Sequence, residues 1–287
     1  MREQNIYRLY LLPALLLNIS IILIPGILTL LVSFTDWNGV SSEFNYIGLR
    51  NFIEMSNDWV FWQSLYDNIR WTLLFVTVPV AIGLWTAYLL LRKKKTKSIF
   101  QLVFLLPYVM APITNAMLWN NIIFNPQAGL VGFLQRSGIE VFNPLANTST
   151  ALYGVAAVDI WHYWGFLTVI YFAAMRQTPY EHVEVAVLEG ANGWQMFRFV
   201  YFPNIKPTVQ MLFVMIIIFS FLTFDYIYLL TNGGPAHSTE MLSTYAYSFA
   251  FSSFQVGKAA AVGLVMSVFG LIASFFYVWM SRKEMGT

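Results

Sequence analysis

The sequence predicts an all-α, polytopic membrane protein with six transmembrane helices and both termini on the cytoplasmic side. Three observations carry that reading. Apolar residues fill 58% of the 287 positions and charged residues only 10%, against roughly 25% charged in soluble domains. Charge-free runs reach the ~20 residues that cross a bilayer. Lys and Arg concentrate in alternate connecting segments. A soluble globule of this size would show apolar patches that soluble monomers avoid. The composition therefore excludes a soluble enzyme, a disordered chain and a secreted disulfide scaffold. There is no cysteine, so disulfides, thiol nucleophiles, Cys-ligated zinc and iron–sulfur clusters are excluded together. A net charge of +2 gives the chain no electrostatic reason to seek nucleic acid.

The spans follow from the apolar runs in order. The first, Leu9 to Thr35, exceeds the 7–15 residues of a signal-peptide core and is expected to be retained. It holds Pro13 and Pro25, which membrane helices tolerate when neighbours satisfy the freed carbonyls. Trp71 to Leu91 is the second. Ser98 to Gln135 contains the third, with Asn120, Asn121, Asn125 and Pro126 marking its exit. Ala151 to Met175 is apolar except for Asp159 and His162, and Pro207 to Leu230 except for Asp225. Ala259 to Ser281 is the sixth. Between the first two spans, residues 36–66 mix Trp37, Trp59 and Trp62 with acids, as a segment at the outer interface does.

Six spans place both ends on one side of the bilayer. That side collects twelve Lys and Arg: Arg2 and Arg8, the run Arg92–Lys97, three in the loop after the fourth span, and Arg282 and Lys283. Arg50, Arg70, Arg136 and Lys258 are the four on the other side. The richer side is the cytoplasm.

The inner loop from Arg176 to Lys206 is long for a mere connection. Thr178-Pro179-Tyr180-Glu181 reads as a helix start, with Thr178 as cap, Pro179 at the first helical position and Glu181 closing a capping box. A short helix then runs to about Ala191, and Asn192-Gly193 stops it. A second short helix, Trp194 to Arg198, is expected to end at Pro203 and Pro207. Such a helix pair fits either a groove of another protein or its own bundle.

The loop resembles the "EAA" loop of ABC-importer permeases. The resemblance rests on Glu184-Val185-Ala186-Val187-Leu188-Glu189-Gly190-Ala191, then Phe197, Val200, Phe202-Pro203 and Pro207, with Pro179 five residues before the Glu. Val185 replaces the usual Ala and Glu189 the common Asp. Leu11-Leu12-Pro13, Ser33-Phe34-Thr35-Asp36-Trp37, Ile47–Phe52, Leu106-Pro107, Gly129-Leu130 and Thr231–Pro235 are similar to the carbohydrate-uptake branch, so the likeness runs from about residue 9 to 282. It implies residues 1–66 as an N-terminal span with an outer interfacial loop, and 67–282 as a five-span permease core with coupling loop 176–207. Further implications are a separate ATP-hydrolysing dimer that binds ATP and Mg, a second related permease chain, an extracytoplasmic solute-binding protein and a bacterial or archaeal cytoplasmic membrane. Glu184 would anchor the docked helix and Gly190 permit a turn or close packing. Ala186 and Ala191 would be small contact positions, and Phe197 and Pro203 belong to the same motif. Sugar or oligosaccharide is the implied cargo.

The chain itself has no Gly-x-x-x-x-Gly-Lys-[Ser/Thr] loop for ATP. Its three histidines are scattered without metal-ligand spacing, and no catalytic triad can be argued. No cofactor, metal or catalytic residue is therefore expected on this chain. Acids within spans default to a functional hypothesis. Asp225 lies beside Tyr226 and Tyr228, and carboxylate with aromatic ring is chemistry that grips a sugar. Asp159 lies among Trp161, His162, Tyr163 and Trp164. Asn115 and Trp119 are further pathway candidates. For each, a helix-packing role stands beside the pathway role. An ion-driven transporter using Asp159 and Asp225 is the alternative, disfavoured by six unrepeated spans and the capped cytoplasmic helices. An amino-acid or peptide permease of the same mechanism is a third reading.

Overall fold

A computed structural model describes residues 2–93 and 95–285, with side chains over 10–93 and 95–279. Lys94 lies outside the described residues. The side chains of Arg2, Arg8, Arg282 and Lys283, counted for orientation, lie outside them too. The described chain is helical, with one isolated β-bridge between Thr35 and Tyr46. In order it forms α1 (Arg2–Asn18), α2 (Ile24–Val32), α3 (Arg50–Ser56), α4 (Trp59–Leu91), α5 (Lys97–Val109), α6 (Pro112–Leu118) and α7 (Leu130–Arg136). Then come α8 (Ala151–Met175), α9 (Tyr180–Leu188), α10 (Gly193–Gln195), α11 (Phe202–Leu222), α12 (Asp225–Leu230), α13 (Leu242–Tyr247) and α14 (Val256–Met285). Five helices are long and apolar enough to cross a membrane, and six if the bent pair α5 and Pro112–Phe124 counts as one span.

Several expected boundaries move, each for a local reason. The second span starts at Trp59, not Trp71, so the outer segment 36–66 is only partly a loop. Asp67 interrupts the apolar run there. It accepts hydrogen bonds from Gln63 (2.9 Å) and Arg70 (3.3 Å), one helical turn to either side, and the helix continues through it. The third span is not one helix over Ser98–Gln135. It bends by 91° at Met110–Ala111. Both residues are extended, with ψ of 139°, and at Ala111 the reason is local, since a residue before proline is pushed out of the helical region. The fifth span reads Gly193–Leu222, not Pro207–Leu230. Its C-terminal part breaks at Thr223–Phe224, and Asp225 opens the separate helix α12. The sixth helix covers Val256–Met285.

The chain divides into two compact units, Met1–Trp62 with Tyr245–Val268, and Gln63–Thr244 with Phe269–Thr287. In the first, Asn51 donates to the carbonyls of Ser33 (2.8 Å) and Thr35 (2.9 Å), tying the end of the first span to α3. Asp36 accepts from the side chain and backbone of Asn45, and these bonds hold its carboxyl below the usual carboxylate range. Glu54 is lowered first by Arg50 (2.8 Å) and then by Lys258 (3.1 Å). The tip of Tyr245 donates to Asp58 (2.6 Å).

The second unit holds the core, with Trp71, Leu167, Tyr171, Met175, Leu212 and Ile227 fully buried. In lipid, apolar side chains gain little by leaving one apolar surroundings for another, so close packing and hydrogen bonds hold helices together. Gly165 of α8 shows the first. A Cβ there would overlap the carbonyl of Phe104 in α5, so only glycine lets the two backbones approach this closely. The hydroxyls of Thr86 and Thr168, 2.6 Å apart, join α4 to α8 and show the second.

Candidate functional site

A cavity of about 400 Å³ opens in the second unit between α4, α5, α8, α11 and α12. Its walls carry aromatic faces, including Trp71 stacked on Phe75 at 4.8 Å and Tyr108 stacked on Phe166 at 4.4 Å. Asp159, Asp225 and His162 are its ionisable carboxylate and imidazole groups.

Both helix interruptions meet this cavity, through Pro112 on one side and Thr223–Asp225 on the other. Irregular backbone at membrane depth is tolerated only where it is buried in protein or lines a wet cavity. The freed backbone groups can be accounted for one by one. At the first break His162 Nε2 lies 3.1 Å from the carbonyl of Met110, which requires the proton on Nε2. The Asn115 N–H returns to the Ala111 carbonyl at 3.0 Å, restarting the helix. At the second break Thr223 Oγ1 donates to the Phe219 carbonyl (3.2 Å). Asn68 Nδ2 donates to the Ser220 carbonyl (2.9 Å), and the Ser243 hydroxyl donates to the Thr223 carbonyl. Asn68 Oδ1 in turn accepts the Leu242 N–H at 2.8 Å. The breaks are thus built features with their own partners.

The five pathway candidates separate in the structure. Asp159, Asp225 and Tyr226 line the same cavity. Asn115 sits behind Tyr226, fully buried, and donates to its hydroxyl at 2.9 Å. Trp119 packs edge-on against Trp161 (5.5 Å) and is not among the lining residues. Sequence reasoning missed Asn68 altogether, because Asp67 and Arg70 on either side of it placed it outside the apolar run that begins at Trp71. It noted His162 only as a neighbour of Asp159 and as a poor metal ligand. Among the described residues, no group of three or more His, Asp or Glu could hold a metal.

The loop after α8 differs from its expected form. Pro179, not Thr178, occupies the cap of α9, and no side-chain cap bond forms there. The Thr178 hydroxyl is buried without a hydrogen-bond partner among the described residues. The capping box sits one helix later. Asn192 Oδ1 accepts the Gln195 N–H (3.0 Å) and Gln195 accepts the Asn192 N–H (2.8 Å), so Asn192 starts a helix and does not stop one. That helix runs on through Pro203 and Pro207 into the fifth span.

What ends α9 is Gly190, at φ +75°. The Ala191 N–H reaches back to the Ala186 carbonyl (2.9 Å) and the Gly190 N–H to the Val187 carbonyl (3.0 Å). This is a Schellman turn, which needs a left-handed residue at the glycine position. The spacing Ala186…Gly190-Ala191 is therefore the length of one such turn. It leaves Tyr180, Val185, Val187 and Leu188 exposed, and Glu184 is exposed as well. Beside them lies an open groove of about 550 Å³ whose walls include Ala186, Glu189, Ala191 and Phe199. Phe197 turns inward, 5.4 Å from the ring of Tyr88, whose hydroxyl donates to the Gly193 carbonyl at 2.7 Å. Pro203 is exposed, just past a wide π-turn at Met196–Tyr201.

A helical membrane protein with one bent span and a second helix break around an aromatic cavity that holds two acids, and an exposed helix in one long loop, has the architecture of a transport protein. The chain belongs to the binding-protein-dependent transport system inner membrane component family, whose pattern it matches over residues 79–285. It is 31% identical over 279 residues to a probable ABC transporter permease of Pyrococcus horikoshii, covering 96% of this chain and 95% of that one. It is 30% identical to a probable starch degradation products transport system permease of Thermoanaerobacterium thermosulfurigenes, covering 97% and 94%. Its fold matches a chain of a bacterial alginate ABC transporter solved with an alginate pentasaccharide-bound periplasmic protein. The TM-score is 0.84 at 22% identity, over 100% of this chain and 96% of the other.

Proposed function

We propose that this chain is the membrane-spanning subunit of an ATP-driven sugar importer. In this reading it receives a sugar or oligosaccharide from an extracytoplasmic binding protein, pairs with a second related permease, and takes its energy from a separate ATPase dimer. ATP and Mg are held by that dimer. The relative named for starch degradation products supports the cargo class. The observation that carries the coupling is α9 with its Schellman end: a short, closed helix presenting Tyr180, Val185, Val187 and Leu188 outward beside a groove. Exposed apolar side chains of this density on a loop fit a partner's cleft. Closure of the ATPase dimer would then pull α9. The capped helix from Gly193 to Leu222 would carry the displacement to the break at Thr223 beside the cavity.

Glu184 would anchor α9 in the cleft, with Ala186 and Ala191 as its close contacts. The test uses the complex purified from its native membrane. Gly190→Arg forces a side chain onto a left-handed residue, costing about 1–2 kcal/mol in the turn and placing bulk at the interface. Glu184→Lys reverses the anchor's charge. Both variants are expected to reach the membrane and to lose substrate-stimulated ATP hydrolysis. Full retained stimulation in both sinks the docking assignment. Co-purification with mass spectrometry is expected to recover a Walker-type ATPase and a second six-span chain.

A further inference from the structure

The charge of the cavity bears on which sugars pass, an inference that rests on the cavity being the pathway. Two carboxylates, Asp159 and Asp225, line it, and no Lys or Arg is among its described lining residues. His162 does not neutralise them through a hydrogen bond. Its Nε2 is committed to the Met110 carbonyl, and its Nδ1 stands 3.9 Å from Asp159, beyond hydrogen-bond reach. No hydrogen bond among the described residues engages either carboxylate. Both helix breaks are satisfied by other groups, namely Asn68, Thr223, Ser243 and His162. The acids are therefore not needed to hold the fold at the breaks that frame them. Carboxylates facing an open cavity accept hydrogen bonds only. Sugar hydroxyls can supply those bonds, an ammonium adds charge assistance, and the stacked aromatic walls suit the apolar faces of sugar rings. Two acids facing each other in such a cavity share less than two full negative charges, and a carboxylate or phosphate on the cargo is repelled by the charge that remains.

We propose that this wall of the pathway is an anion filter, admitting neutral sugars and amino sugars and excluding uronic acids and sugar phosphates. Because the chain has no cysteine, single thiols can report on it cleanly. Met215→Cys and Thr223→Cys each place one thiol on the cavity wall, and two positions guard against one of them disturbing the fold. Methanethiosulfonate reagents of similar size, one cationic, one neutral and one anionic, are applied to the purified complex without nucleotide and in the ATP-trapped state. Each rate is divided by that reagent's rate with free cysteine.

The expected result is a normalised cation-to-anion ratio of about tenfold or more, falling toward one when Asp159→Asn and Asp225→Asn are added. A ratio near one with the carboxylates in place, at thiols whose reactivity changes with nucleotide, overturns the filter and leaves the pathway standing. A high ratio that survives the double substitution overturns it as well, since the charge then comes from elsewhere. Thiols inert to all three reagents in every state overturn the pathway reading and the filter with it.

Discussion

Asn68 shows how much of this fold hangs on single polar side chains. It is fully buried, and its amide is fully used: Nδ2 on the Ser220 carbonyl and Oδ1 on the Leu242 N–H. Each bond caps a chain end that no helix can serve, the last turn of α11 and the segment entering α13. Nearly isosteric Asn68→Leu leaves both backbone groups unpaired, and each costs about 1–3 kcal/mol. The expected outcome is a clear drop in the thermal midpoint of the detergent-solubilised protein, together with reduced transport, because the break at Thr223 loses its brace. An unchanged midpoint would mean water or neighbouring groups replace the amide, and the accounting of the second break would be wrong. His162 holds the equivalent post at the first break.

The same logic explains which elements could be read in advance. Apolar runs, free of charge or broken by a single acid, located the spanning helices though not their ends, because the bilayer demands apolar length and little else. The interruptions at Met110–Ala111 and Thr223–Phe224 were not legible, since they depend on partners distant in sequence, His162 for one and Asn68 for the other. The prolines misled for a related reason. Pro203 read as a stop, yet the helix passes through it. The Phe202 N–H bonds to the Phe197 carbonyl five residues back, and the widened turn makes room for the proline ring. Ile24 bonds to Ile19 in the same way just before Pro25. In the candidate site, Glu184–Ala191 stood out through its family resemblance, but the turn at Gly190 was not read from spacing, because Asn192-Gly193 offered an equally good stop and in fact starts the next helix. The grouping of Asp159 with Asp225 was not legible either, because it depends on how α8 and α12 pack.

The link between loop and bundle is also an element-scale property, and it runs through Tyr88. The ring sits between Phe197 (5.4 Å) and Tyr201 (5.9 Å), and its hydroxyl holds the Gly193 carbonyl. Tyr88→Phe keeps the ring contacts and removes one hydrogen bond of about 0.5–1.5 kcal/mol. It is expected to lower substrate-stimulated ATP hydrolysis by about two- to tenfold while basal hydrolysis holds. Tyr88→Ala, which also removes the ring, should lose more. Equal stimulation in wild type and both variants would take Tyr88 out of the coupling path.

At the scale of the whole molecule, orientation decides whether the parts can work together. Twelve basic residues against four predict that the termini and α9 face the cytoplasm. The ATPase reading depends on that sidedness, because ATP is available on one side only. The absence of cysteine again makes a direct measurement possible. Thr148 lies exposed in the segment between the third and fourth spans, and Glu189 lies exposed at the end of α9. With Thr148→Cys, a membrane-impermeant maleimide should label the chain in cells whose cytoplasmic membrane is intact. With Glu189→Cys, labelling should appear only after that membrane is opened. The reverse pattern would put α9 outside, where no ATPase could reach it, and the coupling proposal would fall together with the orientation. Replacing Arg92, Lys93, Lys94, Lys95 and Lys97 by Gln removes the largest basic cluster from the inner side. This should raise external labelling at Glu189→Cys, because the charge difference that fixes the orientation is then much smaller.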